Sequence, residues 1–184
     1  MSKGTTWKTY EAELEYAQLF ERNMDKGSDD NDAGRTVASK GGQTKVTLLV
    51  TEEVKDQMIA DGIPDKSMGY EMFKHDPDKD LYRYVAKRPW NSPFKDDDGN
   101  VVEFGAPNVV DYPASVAAME AAKESGEEVE AVQWDSDVNI GNGSTGKVKF
   151  SIYKNGSKRI VRLEGVAIVE HVPYEAVGGD QVRF

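Results

Sequence analysis

Residues 136–172 read SDVNIGNGSTGKVKFSIYKNGSKRIVRLEGVAIVEHV. Lys147 to Lys154 alternates polar and apolar residues with a period of two, the signature of a half-buried strand. Asn155-Gly156 follows, a dipeptide suited to a tight hairpin turn whose two central residues both need positive φ. Lys158 to Val172 is a second β-rich run. The expectation is an antiparallel hairpin in which Lys154 pairs with Ser157. Tyr153 then faces Lys158, Ser151 faces Ile160, Lys149 faces Arg162 and Lys147 faces Glu164. Side chains alternate across a strand, so Val148, Phe150 and Ile152 share an apolar face with Leu163, Val161 and Arg159. The opposite face is basic and carries Tyr153.

Charge sharpens this reading. The formal net charge is −10, yet no acidic residue occurs from Val138 to Leu163. Twelve acids and a single lysine, Lys123, occupy Asp96 to Asp137. The sequence pI of about 4.8 argues against nucleic-acid binding through global charge but leaves room for a local basic face. A basic sheet face with an aromatic suits a phosphate backbone and a stacked base. The rival reading is a solvated Lys-rich face of the kind that edge strands use to discourage pairing.

Outward from the hairpin, Thr6 to Phe20 reads as a first strand. Tyr10, Ala12, Leu14 and Tyr16 lie on one parity, with an edge-exposed glutamate face on the other; a helix is the rival. Met24 to Gly42 reads as a polar loop, Gln43 to Val50 as a second strand, and Thr51 as the cap of a short helix ended by Gly62. Asp65 to Asp80 reads as an irregular connection. Leu81 to Trp90 is a third strand with Tyr82, Tyr84 and Ala86 on one face. Arg83, Lys87, Arg88, Trp90, Phe94 and Lys95 form a second basic-aromatic cluster. Its rival is an ordinary hairpin whose aromatics fill core. Asp96 to Asn100 is a turn and Val101 to Phe104 a returning strand. Pro113 to Ser125 is the clearest helix, with Val116 and Met119 as its apolar stripe.

The segment Val138 to Val172, with the run Leu163-Glu164-Gly165-Val166-Ala167-Ile168-Val169-Glu170, resembles the end of the OB-fold in single-stranded DNA-binding proteins of short-tailed, T-seven-like phages. Tyr10 to Phe20 and Lys45 to Val50 fit that family's opening strands more loosely. The resemblance implies a mainly β fold, a five-stranded OB-fold barrel with long insertions and one or two helices. It implies a DNA-binding domain over residues 1–172 and a short tail over 173–184. The candidate DNA-binding residues are Lys147, Lys149, Tyr153, Lys154, Lys158, Arg159 and Arg162 on the hairpin, with the six residues of the second cluster. The implied partners are single-stranded DNA, phage DNA polymerase, a helicase-primase and a second copy of the chain, in the cytoplasm of the infected bacterium. Phe184 matches the family's terminal aromatic and is the candidate partner-binding residue. The acidic tail before it does not match: only Glu175 and Asp180 are acids. An OB-type protein-interaction module without DNA binding is the alternative.

Other functions find little support. With no cysteine, disulfides, thiolate metal sites and cysteine nucleophiles are excluded. No apolar run approaches a membrane span of roughly 18 residues, and the N-terminal stretch lacks the apolar core of a signal peptide. GNGSTGK (141–147) satisfies G-x-x-x-x-G-K, but Val148 stands where the Mg²⁺-binding hydroxyl belongs, and the loop opens a strand. Asp76, Asp78 and Asp80 imitate an EF-hand start, but Leu81 replaces the required glycine and Lys87 the last glutamate. His75 and His171 form no catalytic or metal-ligand spacing. The sequence points to binding without enzymatic chemistry, cofactor or metal.

Overall fold

A computed structural model describes residues 4–27 and 41–174. Its elements are β1 (Thr6–Gln18), β2 (Gln43–Val50), α1 (Glu52–Ala60), β3 (Lys66–Ser67), β4 (Tyr70–Glu71), β5 (Lys74–Asp76), β6 (Leu81–Pro89), β7 (Asn91–Lys95), β8 (Val101–Glu103), β9 (Asn108–Asp111), α2 (Tyr112–Lys123), β10 (Ser144–Asn155) and β11 (Lys158–Glu170). Seven strands form one sheet in the order β5-β6-β2-β1-β10-β11-β9, antiparallel except at the β11–β9 edge. The five long strands, β6-β2-β1-β10-β11, curl as an OB-like barrel around Leu14, Val46, Leu48, Phe150, Leu163 and Ile168. Among the described residues no ladder joins β6 to β11, so the barrel has an open seam. No helix of the described residues is long and apolar enough to cross a membrane.

The hairpin keeps its expected faces in a different register. Asn155 pairs with Lys158, Lys154 with Arg159, Tyr153 with Ile160, Ile152 with Val161 and Phe150 with Leu163. The turn is Gly156-Ser157, and of these two only Gly156 has positive φ, 64°. A turn with glycine at its first central position makes that demand once, whereas Asn-Gly makes it twice. The slip amounts to two positions across the pair, so every side chain stays on its face; a slip of one would have inverted them. A bulge then leaves Glu164 unpaired between Leu163 and Gly165. Lys149 therefore faces Gly165, and Lys147 faces Ala167.

Other departures have local causes. β1 is a strand, but it lies inside the sheet between β10 and β2 rather than at an edge. Its alternation fails at Tyr16, whose φ of 50° accompanies a register shift and leaves the ring 65% exposed; Glu15 stays on the Glu13 face, opposite Thr47, and is buried beneath Arg83 and Lys79. The connection 65–80 contains the hairpin β3–β4 and the edge strand β5. In α2, capped by Asp111, the buried residue is Ser115, while Met119 is 57% exposed. The Gly-rich loop packs closely against backbone: a Cβ on Gly141 would lie 2.4 Å from the Val172 carbonyl oxygen. That approach explains a glycine there without any phosphate.

Candidate nucleic-acid interface

The candidate cations fall into two groups. Arg83, Arg88 and Arg162 are held by acids. Arg83 donates to Glu15 and to Asp76, each at 2.7 Å. Arg88 leaves β6 and crosses the open seam. It donates to the carbonyls of Phe104 (2.8 Å), Gly105 (3.0 Å) and Leu163 (3.2 Å) and to Glu164 (3.0 Å). Arg162 donates to the other Glu164 oxygen, which also accepts the Ser151 hydroxyl at 2.7 Å. Both guanidiniums lie over the Phe104 ring. Burial pushes the Glu164 carboxyl up, but the hydrogen bonds from Ser151 and Arg162 and the two arginine charges outweigh it and hold it below the usual glutamate value. Burial likewise lowers Arg88. Arg88 bridges the open seam, Arg83 ties β6 to β1 and β5, and Arg162 pairs within β11.

Lys87, Lys95, Lys147, Lys149, Lys154, Lys158 and Arg159 form no ion pair among the described residues. Lys147 and Lys149 project from the outward face of β10, where each meets a ring: Lys147 over Tyr112 at 4.5 Å and Lys149 over Trp7 at 5.1 Å. Tyr153, half-buried beside Ile160, and exposed Lys158 share that face. Lys154 and Arg159 emerge on the other side, beyond the end of the core. Arg159 and Lys87 line opposite sides of a cleft of about 190 Å³ at the β6/β11 seam. The hairpin end therefore presents free cations on both faces.

The second cluster divides. Arg83 and Arg88 are fixed in ion pairs, and Lys87 lies at the cleft. Trp90 is half-buried at the base of the β7–β8 hairpin, its backbone hydrogen-bonded to Gly42 and Phe104. Phe94 and Lys95 are exposed on β7, in a separate two-stranded sheet. Phe184 lies outside the described residues. Sequence reasoning did not identify Trp7 and Tyr112 as ring partners, nor Glu164 as the acid that binds two arginines. A signal for Glu164 existed: it is the first acid after the acid-free run and sits two residues beyond Arg162.

This architecture, an OB-like β domain with a long terminal hairpin, has known counterparts among phage single-stranded DNA-binding proteins. The chain is similar in structure to gp2.5, a single-stranded DNA binding protein encoded by bacteriophage T7. The two share 19% identity over 96% of this chain and 98% of that one, with a TM-score of 0.53. It also aligns with the single-stranded DNA-binding protein from bacteriophage Enc34. A C-terminal truncation of that protein gives 12% identity, 94% and 90% coverage and a TM-score of 0.49. Its complex with ssDNA gives 13%, 95% and 91%, and 0.48. The fold assignment rests on the first of these. No family model and no curated protein matches the chain.

Proposed function

We propose that the protein binds single-stranded DNA without reading its sequence. The observation that carries this reading is the collection of free cations, Lys87, Lys154, Lys158 and Arg159, around the hairpin end of an OB-like fold in a chain of net charge −10. OB-folds bind oligonucleotides across their second and third strands and the loop joining the fourth and fifth. Here those are β2, β6 and the β10–β11 turn. Phosphates would run along the cations while rings such as Tyr153 stack bases. The similarity to gp2.5 supports the same reading. The role is binding rather than catalysis: coating exposed template during viral DNA replication and recombination in the infected cell, where phage DNA polymerase and helicase-primase would meet the coated strand.

A gel-shift comparison of oligo-dT with duplex DNA tests this. Retention of oligo-dT in preference to duplex is expected. Failure to retain oligo-dT would leave the protein-interaction module as the better account.

A further inference from the structure

The seam cleft has a composition that phosphate binding alone does not require. Its floor is apolar, formed by Tyr84, Phe150, Met72 and Val161, and its rim carries the free cations Lys87 and Arg159. Tyr84 is only 6% exposed, stacked at 4.8 Å on Phe73 and edge-on to Phe150. Its hydroxyl makes no hydrogen bond among the described residues. Burial pushes its pKa up to about 12, so the group remains a neutral phenol, able to donate and accept. Ser67 lines the same cleft, and its partner across the β3–β4 hairpin is Tyr70, whose ring is 76% exposed. The hairpin turns through Met68-Gly69, both at positive φ, and so sets Tyr70 directly across from Ser67.

We propose that this cleft receives one unstacked nucleobase of the bound strand, its edge on the Tyr84 hydroxyl and its flanking phosphates on Lys87 and Arg159, with Tyr70 available to the neighbouring base. The proposal rests on the single-stranded DNA reading and deepens it. At about 190 Å³ the cleft is smaller than the roughly 300 Å³ at which ordinary ligand pockets begin, and suits a single planar group. Two rim cations demand an anionic ligand, while the apolar floor demands a flat, weakly polar one. A nucleotide unit satisfies both. A duplex does not, because its bases are stacked and paired.

The test is fluorescence anisotropy of the full chain with an oligo-dT of about 12 nucleotides, within the span of one OB-fold, and with an abasic oligomer of equal length. The abasic strand keeps the phosphates and lacks the bases. Val161→Phe, which fills the cleft, should weaken oligo-dT binding about fivefold or more and leave abasic binding unchanged. Tyr84→Phe keeps the ring and the fold, and should weaken oligo-dT about two- to tenfold. It serves if Val161→Phe does not fold. Photo-crosslinking with 5-iodouracil in the oligomer should yield adducts on Tyr84 or Tyr70. Unchanged oligo-dT affinity in the folded variants, or equal losses on both oligomers, overturns the base pocket while the DNA reading stands. Negligible binding of either oligomer by the wild-type chain overturns the DNA reading itself.

Discussion

Two regions of this barrel are rich in cations, and they do opposite things. At the seam, Arg88 and Arg162 converge on Glu164, and at the other edge Arg83 bridges Glu15 and Asp76. At the hairpin end, Lys154, Lys158 and Arg159 carry no acid partner among the described residues. The first set stands where a ladder is missing or an edge strand must be held. The second stands where the strands run past the core. A positive charge serves the fold when its own strand or a neighbouring one brings an acid to it. It is available to a ligand when it does not.

The groups that hold the fold show first in stability. Phe150→Ala removes the ring packed on Tyr10 and Tyr84 and should cost about 3–5 kcal/mol. Arg88→Ala leaves Glu164 with Arg162 and Ser151 alone and removes the donor shared by three carbonyls, and should cost about 2 kcal/mol. Urea denaturation measures both. If Arg88→Ala instead weakened DNA binding with an unchanged unfolding midpoint, the assignment of this arginine to the fold would be wrong.

Tyr153→Ala sharpens the other side. Its ring lies on the outward face with Lys149, away from the core. The substitution should cost about 1–3 kcal/mol of oligo-dT affinity and leave the melting temperature within a few degrees. Unfolding by Tyr153→Ala together with an unchanged unfolding midpoint in Phe150→Ala would mean that the two faces are inverted.

The alternation of Lys147 to Lys154 fixed these faces correctly from sequence, because a period of two leaves no third choice. The register was not legible. Asn155-Gly156 and Gly156-Ser157 overlap, and both are turn signals; only the backbone chose between them. Nor could charge counting separate Arg162 from Arg159. Position sets that distinction: Glu164, two residues beyond Arg162, shares its face by alternation, and a count of charges ignores position. The cleft joins β6 to β11 across more than seventy positions, a proximity that local pattern does not encode.

A smaller effect concerns acid. Because the folded Glu164 carboxyl lies below its usual value, its contribution is complete above the ordinary glutamate range. It is lost as pH falls through the lowered folded value. Urea midpoints taken from about pH 7 to about pH 3 should therefore fall at the acid end. Glu164→Gln should flatten part of that decline; an identical acid profile in the variant would remove Glu164 from the account.

The central claim, that free cations at the hairpin end bind DNA while paired arginines hold the barrel, is tested most directly by the salt dependence of oligo-dT binding. With about four to five phosphates neutralised, log K should fall against log salt with a slope of roughly −3. Replacing Lys154, Lys158 and Arg159 together by alanine should flatten the slope by about 2, since each released phosphate contact is worth about 0.7 on a single strand. The thermal midpoint should stay nearly constant. An unchanged slope in the folded triple variant would contradict the account.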